Sequence, residues 1–419
     1  MSFLIRGVGF GRAAAVLLVV AAPLASGAAT TTTAAAAATS PARGHGVVGE
    51  DPAHAFDATV QRYLSQSGAA TWSAHVEVAG LGQVSDIRGA TQLPPASTQK
   101  LFTTARLLMG RGPSALVTSV MSTARPSSGV VRGDLLVVAA SDPALTSRDL
   151  AAMAQSVRRN GVRQVTGRLV LVIGAATTNA TRSGWRPQAV PADVPPLSAL
   201  SVDRDSKQTS AAYRSHPTSA NLATFRKALS AAGVSIVGRS VTVHSTPEAR
   251  VTVLASHTSI SLAWIVNDAL TNSDNFEAEE LLNVVGGTRA VDALRASVGA
   301  SGSETDGSGV SYADRETAVG EVALLDMLQA HGYGPRSRAA LPAACKIGTL
   351  KTEMCGTLAA GQVWAKTGTL AHDKVLAGWT TDALGRLVTF ALFCHAVANT
   401  RTAFRQIENV VIALRNSRL

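Results

Sequence analysis

The two ends of this chain carry matching patterns of helix and strand, and a different pattern separates them. Near the beginning, apolar residues at helical spacing between Ala53 and Ser67 precede an alternating, strand-like run from Trp72 to Val78. Near the end, three strand-like runs between Gln362 and His395 precede an amphipathic helix from Arg401 to Asn416. Strands at one end of a chain can complete a sheet begun at the other. We therefore predict one α/β (α+β) domain in which an antiparallel sheet is flanked by helices.

The middle of the chain interrupts that domain. From residue 113 to 256, short apolar runs alternate with helical segments, and Pro and Ser cluster between Arg186 and Pro217. This pattern predicts an inserted accessory domain over residues 113–256. The main domain is then built from residues 51–112 and 257–419.

The first 28 residues have the order of a secretory signal. Arg6 and Arg12 provide a positive start, an apolar run extends from Ala13 to Ala25, and small residues follow. A Thr- and Ala-rich low-complexity linker then occupies residues 29–50. We expect residues 1–28 to be removed as a signal peptide and the protein to be secreted, to the cell wall or periplasmic space; a retained N-terminal anchor is the alternative.

The formal charge of +10 indicates a basic surface. Such a surface can bind nucleic acid, or it can bind an anionic cell wall or membrane. The chain has no run of five Lys or Arg residues, and aromatic residues, which would interleave with basic ones in a nucleic-acid site, make up only 4% of it. We therefore expect no nucleic-acid partner. The alternatives are peripheral association with the cell wall or a membrane and a scattered basic surface that binds no partner.

Three cysteines bear on the redox compartment. In an oxidising compartment a pair of cysteines is expected to close. Cys345 and Cys355 lie ten residues apart across a loop-like stretch, and they are the predicted disulfide. Cys394 lies in an apolar run and is predicted to be a buried free thiol.

Ser97 and Lys100 form the first motif with chemical meaning. Two prolines precede a helical pattern that runs from Ala96 to Met109, so both side chains would lie on one face of its first turn. A serine becomes nucleophilic beside a base, and a lysine can be that base when burial or a nearby cation disfavours its charge. Alone the motif is weak, because a solvated helical turn often has the same spacing.

Two further motifs come much later in the chain. Ser273-Asp274-Asn275 precedes a helical pattern and by itself is a good helix cap. Lys366-Thr367-Gly368-Thr369 ends a strand-like run, where a lysine can also protect an edge strand from aggregation. Gly368 would allow another backbone segment to approach closely. Taken singly, each of these two motifs is well explained by its structural role.

The three motifs are similar to those of the penicillin-binding protein and serine β-lactamase superfamily. More of the chain resembles one branch, the S13-type D-alanyl-D-alanine carboxypeptidases, which are low-molecular-weight penicillin-binding proteins of the DacB kind. The resemblance covers most of the chain from about residue 50. Beyond the motifs, it rests on Gly133-Asp134-Leu135, Asp142-Pro143, Asn272 to Leu281, Asp306-Gly307-Ser308-Gly309, Gly348-Thr349-Leu350 and Gly361 to Leu370.

The resemblance implies a penicillin-binding-protein-like fold and a serine-type D-Ala-D-Ala carboxypeptidase, with or without D,D-endopeptidase activity. Such an enzyme acts on peptidoglycan stem peptides ending in D-Ala-D-Ala and is covalently inhibited by β-lactams. The implied catalytic residues are Ser97 as nucleophile, Lys100 as its base with a pKa lowered by the charge of Lys366, and Ser273 as a proton carrier. The implied substrate-binding residues are Asn275, Lys366, Thr367 and Thr369. We expect no cofactor.

One segment departs from the family pattern. Family members carry a longer segment after the stretch that resembles residues 198–201. In this chain only residues 206–217 lie between that stretch and the next helix. One accessory subdomain is therefore expected to be reduced or missing, and accessory contacts to substrate are not carried over.

Other function classes fit the sequence less well. A β-lactamase needs a second base to activate water, and the inserted region contains one glutamate, Glu248, which no pattern marks as catalytic. A metal-dependent peptidase is disfavoured because the nine histidines are dispersed and no His-Glu-x-x-His occurs. A Ser-His-Asp hydrolase would need a Gly-x-Ser-x-Gly elbow, which the sequence lacks. A non-catalytic cell-wall-binding protein that keeps only the fold is the remaining alternative.

Overall fold

A computed structural model of the chain describes residues 52–109, 114–174, 176, 178–207, 210–246 and 251–419. The predicted signal peptide, the predicted linker and Glu248 lie outside these residues. The strands are β1 (Ala69–Val78), β2 (Gly82–Ile87), β3 (Ala115–Ser122), β4 (Val130–Val131), β5 (Leu135–Val138), β6 (Gln164–Val165), β7 (Leu169–Val172), β8 (Thr178–Ala180), β9 (Leu197–Ser198), β10 (Ser206–Lys207), β11 (Ser210–Tyr213), β12 (Ser235–Ile236), β13 (Ser240–Val243), β14 (Thr252–Ser261), β15 (Trp364–Leu370), β16 (Asp373–Thr381) and β17 (Leu387–Val397).

The helices are α1 (Asp57–Leu64), α2 (Gln99–Met109), α3 (Ser147–Arg159), α4 (Ala189–Ala192), α5 (Pro217–Ala231), α6 (Leu262–Thr271), α7 (Asn275–Val285), α8 (Thr288–Ser297), α9 (Ala318–Ala330), α10 (Gly334–Ala340) and α11 (Thr400–Asn416). Helices α2 and α11 end where sequence periodicity predicts, at Met109 and Asn416. Short 3-10 turns lie at Pro52–His54, Ala96–Thr98, Asp203–Asp205 and Gly348–Leu350. In the described part of the chain, no helix combines the length and the apolar character that crossing a membrane requires.

One five-stranded sheet joins the two ends of the chain. Its order is β15-β16-β17-β1-β2, and every neighbouring pair is antiparallel. The pairing of β1 with β17 places Trp72 opposite Cys394, so the first and the last long strands of the described residues lie side by side. This confirms the predicted antiparallel sheet built from both ends of the sequence.

Helices cover both faces of this sheet. Successive side chains of a strand point to opposite faces, so Leu376 packs in a cluster with α1 and α11 while Ala377 packs in a cluster with α2, α6 and α9. The last helix starts after Asn399, whose side-chain oxygen accepts hydrogen bonds from two backbone N–H groups of the first turn at 2.9 and 3.0 Å. The predicted arrangement of a sheet flanked by helices is confirmed.

Helix α9 has no counterpart among the elements predicted from sequence. It packs against β1 and β17, and its side chains Leu324, Leu325 and Leu328 are all buried. A helix that is apolar on most of its circumference lacks the one-sided periodicity by which an amphipathic helix is recognised. The predicted first helix is also longer than α1, because the residues before Phe56 form a 3-10 turn.

The middle of the chain forms sheets of its own. Its main sheet has the order β13-β7-β5-β3-β14, with parallel pairs at β13·β7 and β7·β5 and antiparallel pairs at β5·β3 and β3·β14. A cluster of buried side chains, including Leu150, Val157, Phe225 and Leu229, joins α3 and α5 to one face of this sheet.

The predicted boundary at residue 256 falls inside β14, and α6 follows that strand without a linker. The described residues from 52 onward group as one compact unit. The division into a main and an inserted domain therefore stays a prediction.

The cysteines lie where the sequence places them. The sulfurs of Cys345 and Cys355 are 2.03 Å apart and form a disulfide, while Cys394 is buried without a disulfide partner. Burial raises the pKa of the Cys394 thiol to about 12, so the reactive thiolate is scarce at neutral pH.

Thiol titration tests this pairing. We expect no rapidly reacting thiol in the native protein, one per chain after denaturation without reductant, and three after reduction. In a Cys394→Ser control, the denatured, unreduced protein should show none. Three reactive thiols in the unreduced, denatured wild type would contradict the disulfide.

Candidate active site

Ser97 and Lys100 meet at the junction of a 3-10 turn and a helix. Ser97 lies in the turn Ala96–Thr98, and the α-helix begins only at Gln99, so the start of the helix lies later than the sequence predicts. Residues three apart in a 3-10 turn lie above one another. The Nζ atom of Lys100 donates a hydrogen bond to the Ser97 hydroxyl at 3.0 Å.

The ammonium group of Lys100 is completely buried. Besides Ser97, it donates to Asn275 Oδ1 at 2.8 Å and to the carbonyl oxygen of Ser308 at 2.6 Å. Burial lowers the pKa of Lys100 to about 8, against the opposing pull of the carboxylates of Asp306, Glu279 and Asp274. At pH 7 about one tenth of such an amine is neutral, roughly 300 times more than for an exposed lysine.

The second motif divides its three side chains between structure and site. Asp274 caps α7 by accepting the backbone N–H of Glu277 at 2.9 Å, as the helix-cap interpretation predicts. Ser273 has a φ of +61°, in the left-handed region, and this turn directs its hydroxyl towards Lys366. Asn275 points instead to Lys100, so the motif touches both lysines.

Lys366 lies beneath the surface of the site. Its Nζ atom donates to the Ser273 hydroxyl at 2.8 Å and to the carbonyl oxygen of Thr367 at 3.0 Å. Burial, together with the positive charges of Lys100 and Lys374, lowers the pKa of Lys366 well below its usual value. The sequence-based expectation named repulsion from Lys366 as the cause of the lowered pKa of Lys100. Burial is the main cause at Lys100, and the mutual repulsion of the two ammonium groups adds to burial at Lys366.

Five of the seven predicted site residues line one cavity of about 380 Å³, and the other two, Lys100 and Lys366, are buried behind it and hydrogen-bonded to Ser97 and Ser273. This cavity is lined by Ser97, Ser273, Asn275, Thr349, Glu353, Thr367, Thr369, Lys374, Thr400, Arg401 and Phe404. A second cavity of about 420 Å³ also reaches Ser97 and extends towards Arg186 and Tyr312. Among the described residues, no group of three or more His, Cys, Asp or Glu side chains is placed to hold a metal ion.

Two glycines let other backbone segments approach the turn of Ser97. A Cβ atom on Gly309 would lie 1.8 Å from the carbonyl oxygen of Ala96, and one on Gly368 would lie 2.6 Å from that of Pro95. Gly309 also has a φ of +77°. The glycine-rich loop and the strand β15 therefore hold the turn of Ser97 from two sides, and no larger residue fits at either place.

Buried carboxylates hold the glycine-rich loop in place. Glu279 accepts the backbone N–H groups of Gly307 and Ser308, both at 2.9 Å, and Asp306 accepts that of Gly309 at 2.6 Å. Since Ser308 binds Lys100 through its carbonyl oxygen, these acids fix one partner of the buried amine.

The middle of the chain contributes side chains that the sequence analysis missed. Arg182 donates to Glu279 at 3.0 Å, and Trp185 donates to Asp306 at 2.6 Å. The sequence offered one clue to these partners, the three acidic residues at 277, 279 and 280 in the largely apolar segment of α7. The structure shows that all three are buried. Acids at buried positions require partners, and here the partners belong to a distant segment.

The sequence profile of the D-Ala-D-Ala carboxypeptidase 3 (S13) family matches residues 56–219 and 201–416. The chain belongs to the D-Ala-D-Ala carboxypeptidase 3 (S13) family. The predicted resemblance is thereby confirmed, and the protein is a serine-type D-Ala-D-Ala carboxypeptidase.

Relatives within this S13 family span most of the chain. It is 29% identical over 352 residues to carboxypeptidase DacB of Mycolicibacterium smegmatis, covering 76% of this chain and 75% of that protein. It is 29% identical over 392 residues to the D-alanyl-D-alanine carboxypeptidase of Actinomadura sp. strain R39, covering 71% of this chain and 73% of that protein.

A solved structure supports the fold. Penicillin binding protein 4 (dacB) from Haemophilus influenzae superposes with a TM-score of 0.74 at 20% identity, covering 86% of this chain and 99% of that one. A second structure of that protein, complexed with a β-lactam, superposes with a TM-score of 0.70 at 19% identity, covering 84% and 98%. The fold of that protein is thus shared over most of this chain.

Gly309→Ala tests the close packing against the Ser97 turn. We expect kcat/KM for D-Ala release to fall about 100-fold, because the new methyl group displaces the nucleophile. Gly385→Ala is a matched control, since its φ of +80° is similar but nothing lies within 4 Å of the added Cβ. The control should lose about 1–2 kcal/mol of stability and keep its activity. Equal activity losses in both variants, measured alongside their melting temperatures, would argue against the packing role.

Proposed function

We propose that this S13-family enzyme hydrolyses the D-Ala-D-Ala bond of peptidoglycan stem peptides through an acyl-enzyme on Ser97. The observation that carries the proposal is the 3.0 Å contact between the Ser97 hydroxyl and the buried amine of Lys100 at the wall of an open cavity. A serine beside an amine whose pKa lies near neutral pH is an activated nucleophile.

Acylation follows from these contacts. Ser97 Oγ attacks the carbonyl carbon between the two terminal D-alanines while neutral Lys100 takes the hydroxyl proton. The C–N bond then breaks, and the proton taken by Lys100 passes to the leaving amine through the Ser273 hydroxyl, which Lys366 holds, so that Lys100 is neutral again. Water later attacks the ester, releases the shortened peptide and restores the Ser97 hydroxyl.

The developing negative charge on the carbonyl oxygen needs fixed donors. The backbone N–H groups of Ser97 and Thr369 are the proposed pair, and one such donor typically contributes about 3–4 kcal/mol to transition-state stabilisation. The close approach of Gly368 to the carbonyl oxygen of Pro95 fixes these two backbone segments relative to one another, and Gly309 holds the Ser97 turn from the other side.

Substrate positioning falls to side chains of the same cavity. Asn275 donates to the carbonyl oxygen of Asp193 at 3.1 Å, which orients its carboxamide for the substrate amide. The hydroxyls of Thr367 and Thr369 line the cavity and are the proposed contacts for the terminal carboxylate. Lys366 has no exposed surface, so its effect on the substrate passes through the Ser273 hydroxyl.

β-Lactams are the proposed inhibitors, because a strained lactam amide presents the same carbonyl to Ser97. The β-lactam complex of the Haemophilus influenzae protein supports this. Cleavage of cross-links, in which the leaving amine belongs to a second stem peptide, uses the same chemistry. Mass spectrometry of products from purified wall peptides distinguishes the two cleavages.

An extracytoplasmic location at the cell wall completes the proposal. It is supported by the signal-like order of residues 1–28, by the formal charge of +10 and by the disulfide. Residues 113–256 are proposed as an inserted domain whose Arg182 and Trp185 support the active site.

Ser97→Ala tests the nucleophile. We expect covalent labelling by a fluorescent penicillin and release of D-alanine both to disappear, because no other hydroxyl occupies the position of Ser97 Oγ. Ser219→Ala, on the exposed side of α5, should label like the wild type. Persistent labelling of a folded Ser97→Ala protein would refute the assignment.

The pKa of Lys100 predicts the pH dependence of acylation. Burial lowers this pKa to about 8, and only the neutral amine accepts the proton, so the rate must rise with pH and level off above about 8. At saturating penicillin we expect about a tenfold rise between pH 6 and 7. Lys100→Met should lose most of the rate and its pH dependence, whereas a wild-type rate unchanged between pH 6 and 9 would argue against Lys100 as the base.

A further inference from the structure

A substrate carboxylate that enters the 380 Å³ cavity binds most strongly beside a positive charge, and the two motif lysines are poorly placed to supply it. An ammonium group has three donors, and those of Lys100 are all used by Ser97, Asn275 and Ser308. Lys366 is completely buried, and its hydrogen bonds go to Ser273 and Thr367. Neither ammonium reaches the cavity surface.

We propose that Lys374, which no motif includes, is the cation that binds the terminal carboxylate of the substrate. This assignment rests on the proposed function, because it places the leaving D-alanine in the cavity beside Ser97. Lys374 is then a substrate-binding residue that makes the enzyme specific for a free C-terminal carboxylate.

Strand register brings Lys374 to the proposed carboxylate site. Lys374 on β16 is paired with Thr369 on β15, so the two side chains lie on the same face of the sheet. The Nζ atom of Lys374 donates to Thr369 Oγ1 at 2.6 Å. Lys374 and both threonine hydroxyls line the same cavity as Ser97, so one carboxylate can contact all three groups.

The last helix keeps the ammonium of Lys374 at this position. Its Nζ atom lies 4.2 Å from the centre of the Phe404 ring, a cation–π contact that holds the charge without neutralising it. The nearby carboxylate of Glu353 is occupied by Arg401, at 2.8 and 3.0 Å. Among the described residues, no ion pair joins Lys374 to a carboxylate, so its charge is available to a ligand.

The charge state agrees with this geometry. Burial lowers the pKa of Lys374 to about 8, with Glu353 and Glu408 raising it and Arg401 lowering it. The side chain therefore remains mostly protonated at pH 7. Lys366, whose pKa is lowered well below its usual value, is a weaker source of positive charge.

The orientation of the two cavities fits a peptide that ends at Lys374. Both cavities reach Ser97, one leading to Lys374 and the other to Arg186 and Tyr312. Ser273, the proposed proton carrier to the leaving amine, lines only the first of these two. The leaving D-alanine then points its carboxylate towards Lys374, while the rest of the stem peptide occupies the second cavity.

The test compares substrates that differ by one charge. An acylated peptide ending in D-Ala-D-Ala and its C-terminal amide are assayed with wild type, Lys374→Met, Lys374→Arg and the control Lys351→Met, which removes an exposed lysine outside the cavity. We expect Lys374→Met to lower kcat/KM for the acid about tenfold, mainly through KM, and to change the amide less than about twofold. Lys374→Arg should retain most of the preference for the acid, and the control should match the wild type.

Acylation rates with benzylpenicillin and its methyl ester, followed by mass spectrometry, repeat the comparison for any variant that does not cleave the amide. Lys374→Gln replaces Lys374→Met if the latter does not fold. If Lys374→Met leaves the preference for the acid unchanged, the assignment is overturned. It is also overturned if the rates with the charged and the uncharged substrate fall equally, since Lys374 would then only order Thr369.

The same experiment separates this assignment from the proposed function. If Ser97 is acylated but the preference for the charged substrate is unaffected by Lys374 substitutions, only the role of Lys374 fails. If penicillin leaves no adduct on Ser97 of the wild type, the proposed function fails and the assignment fails with it.

Discussion

The buried ammonium group of Lys100 joins three distant parts of the chain. Its three donors bind Ser97 on the 3-10 turn, Asn275 at the start of α7 and Ser308 in the glycine-rich loop. Leaving a buried donor without its partner costs about 1–3 kcal/mol of folding stability, so each of these segments is held within hydrogen-bond distance of Lys100. The contact that activates the nucleophile therefore also fixes the shape of the site.

The surroundings of Lys100 adjust its charge in two opposing ways. Burial favours the neutral amine, while the carboxylates of Asp306, Glu279 and Asp274 favour the ammonium form. The balance leaves the pKa near 8, within reach of neutral pH. Two of these acids are held by Arg182 and Trp185, so the middle of the chain contributes to the chemistry without touching the substrate.

Several predictions from sequence are confirmed because they depend only on local residue patterns. Strand alternation around Trp72 and helical spacing in α11 arise from one-sided burial, and both elements form as expected. Helix α9 was missed because it is buried on most sides. The helix start near Ser97 was placed too early because a 3-10 turn also brings residues three apart onto one face. Lys374 was missed because it becomes adjacent to Thr369 only through strand pairing.

The sequence by itself determined the family and the sheet built from both chain ends, and it predicted which hydroxyl, amines and carboxamide belong to one site. Residue type and spacing are sufficient for these, since side-chain chemistry and local periodicity are properties of the chain. Only the tertiary structure decided that Lys100 and Lys366 are buried, that their ammonium groups lie close enough to repel one another, and that Lys374 faces the cavity. Desolvation and charge proximity depend on segments that meet only after folding, and no local pattern encodes them.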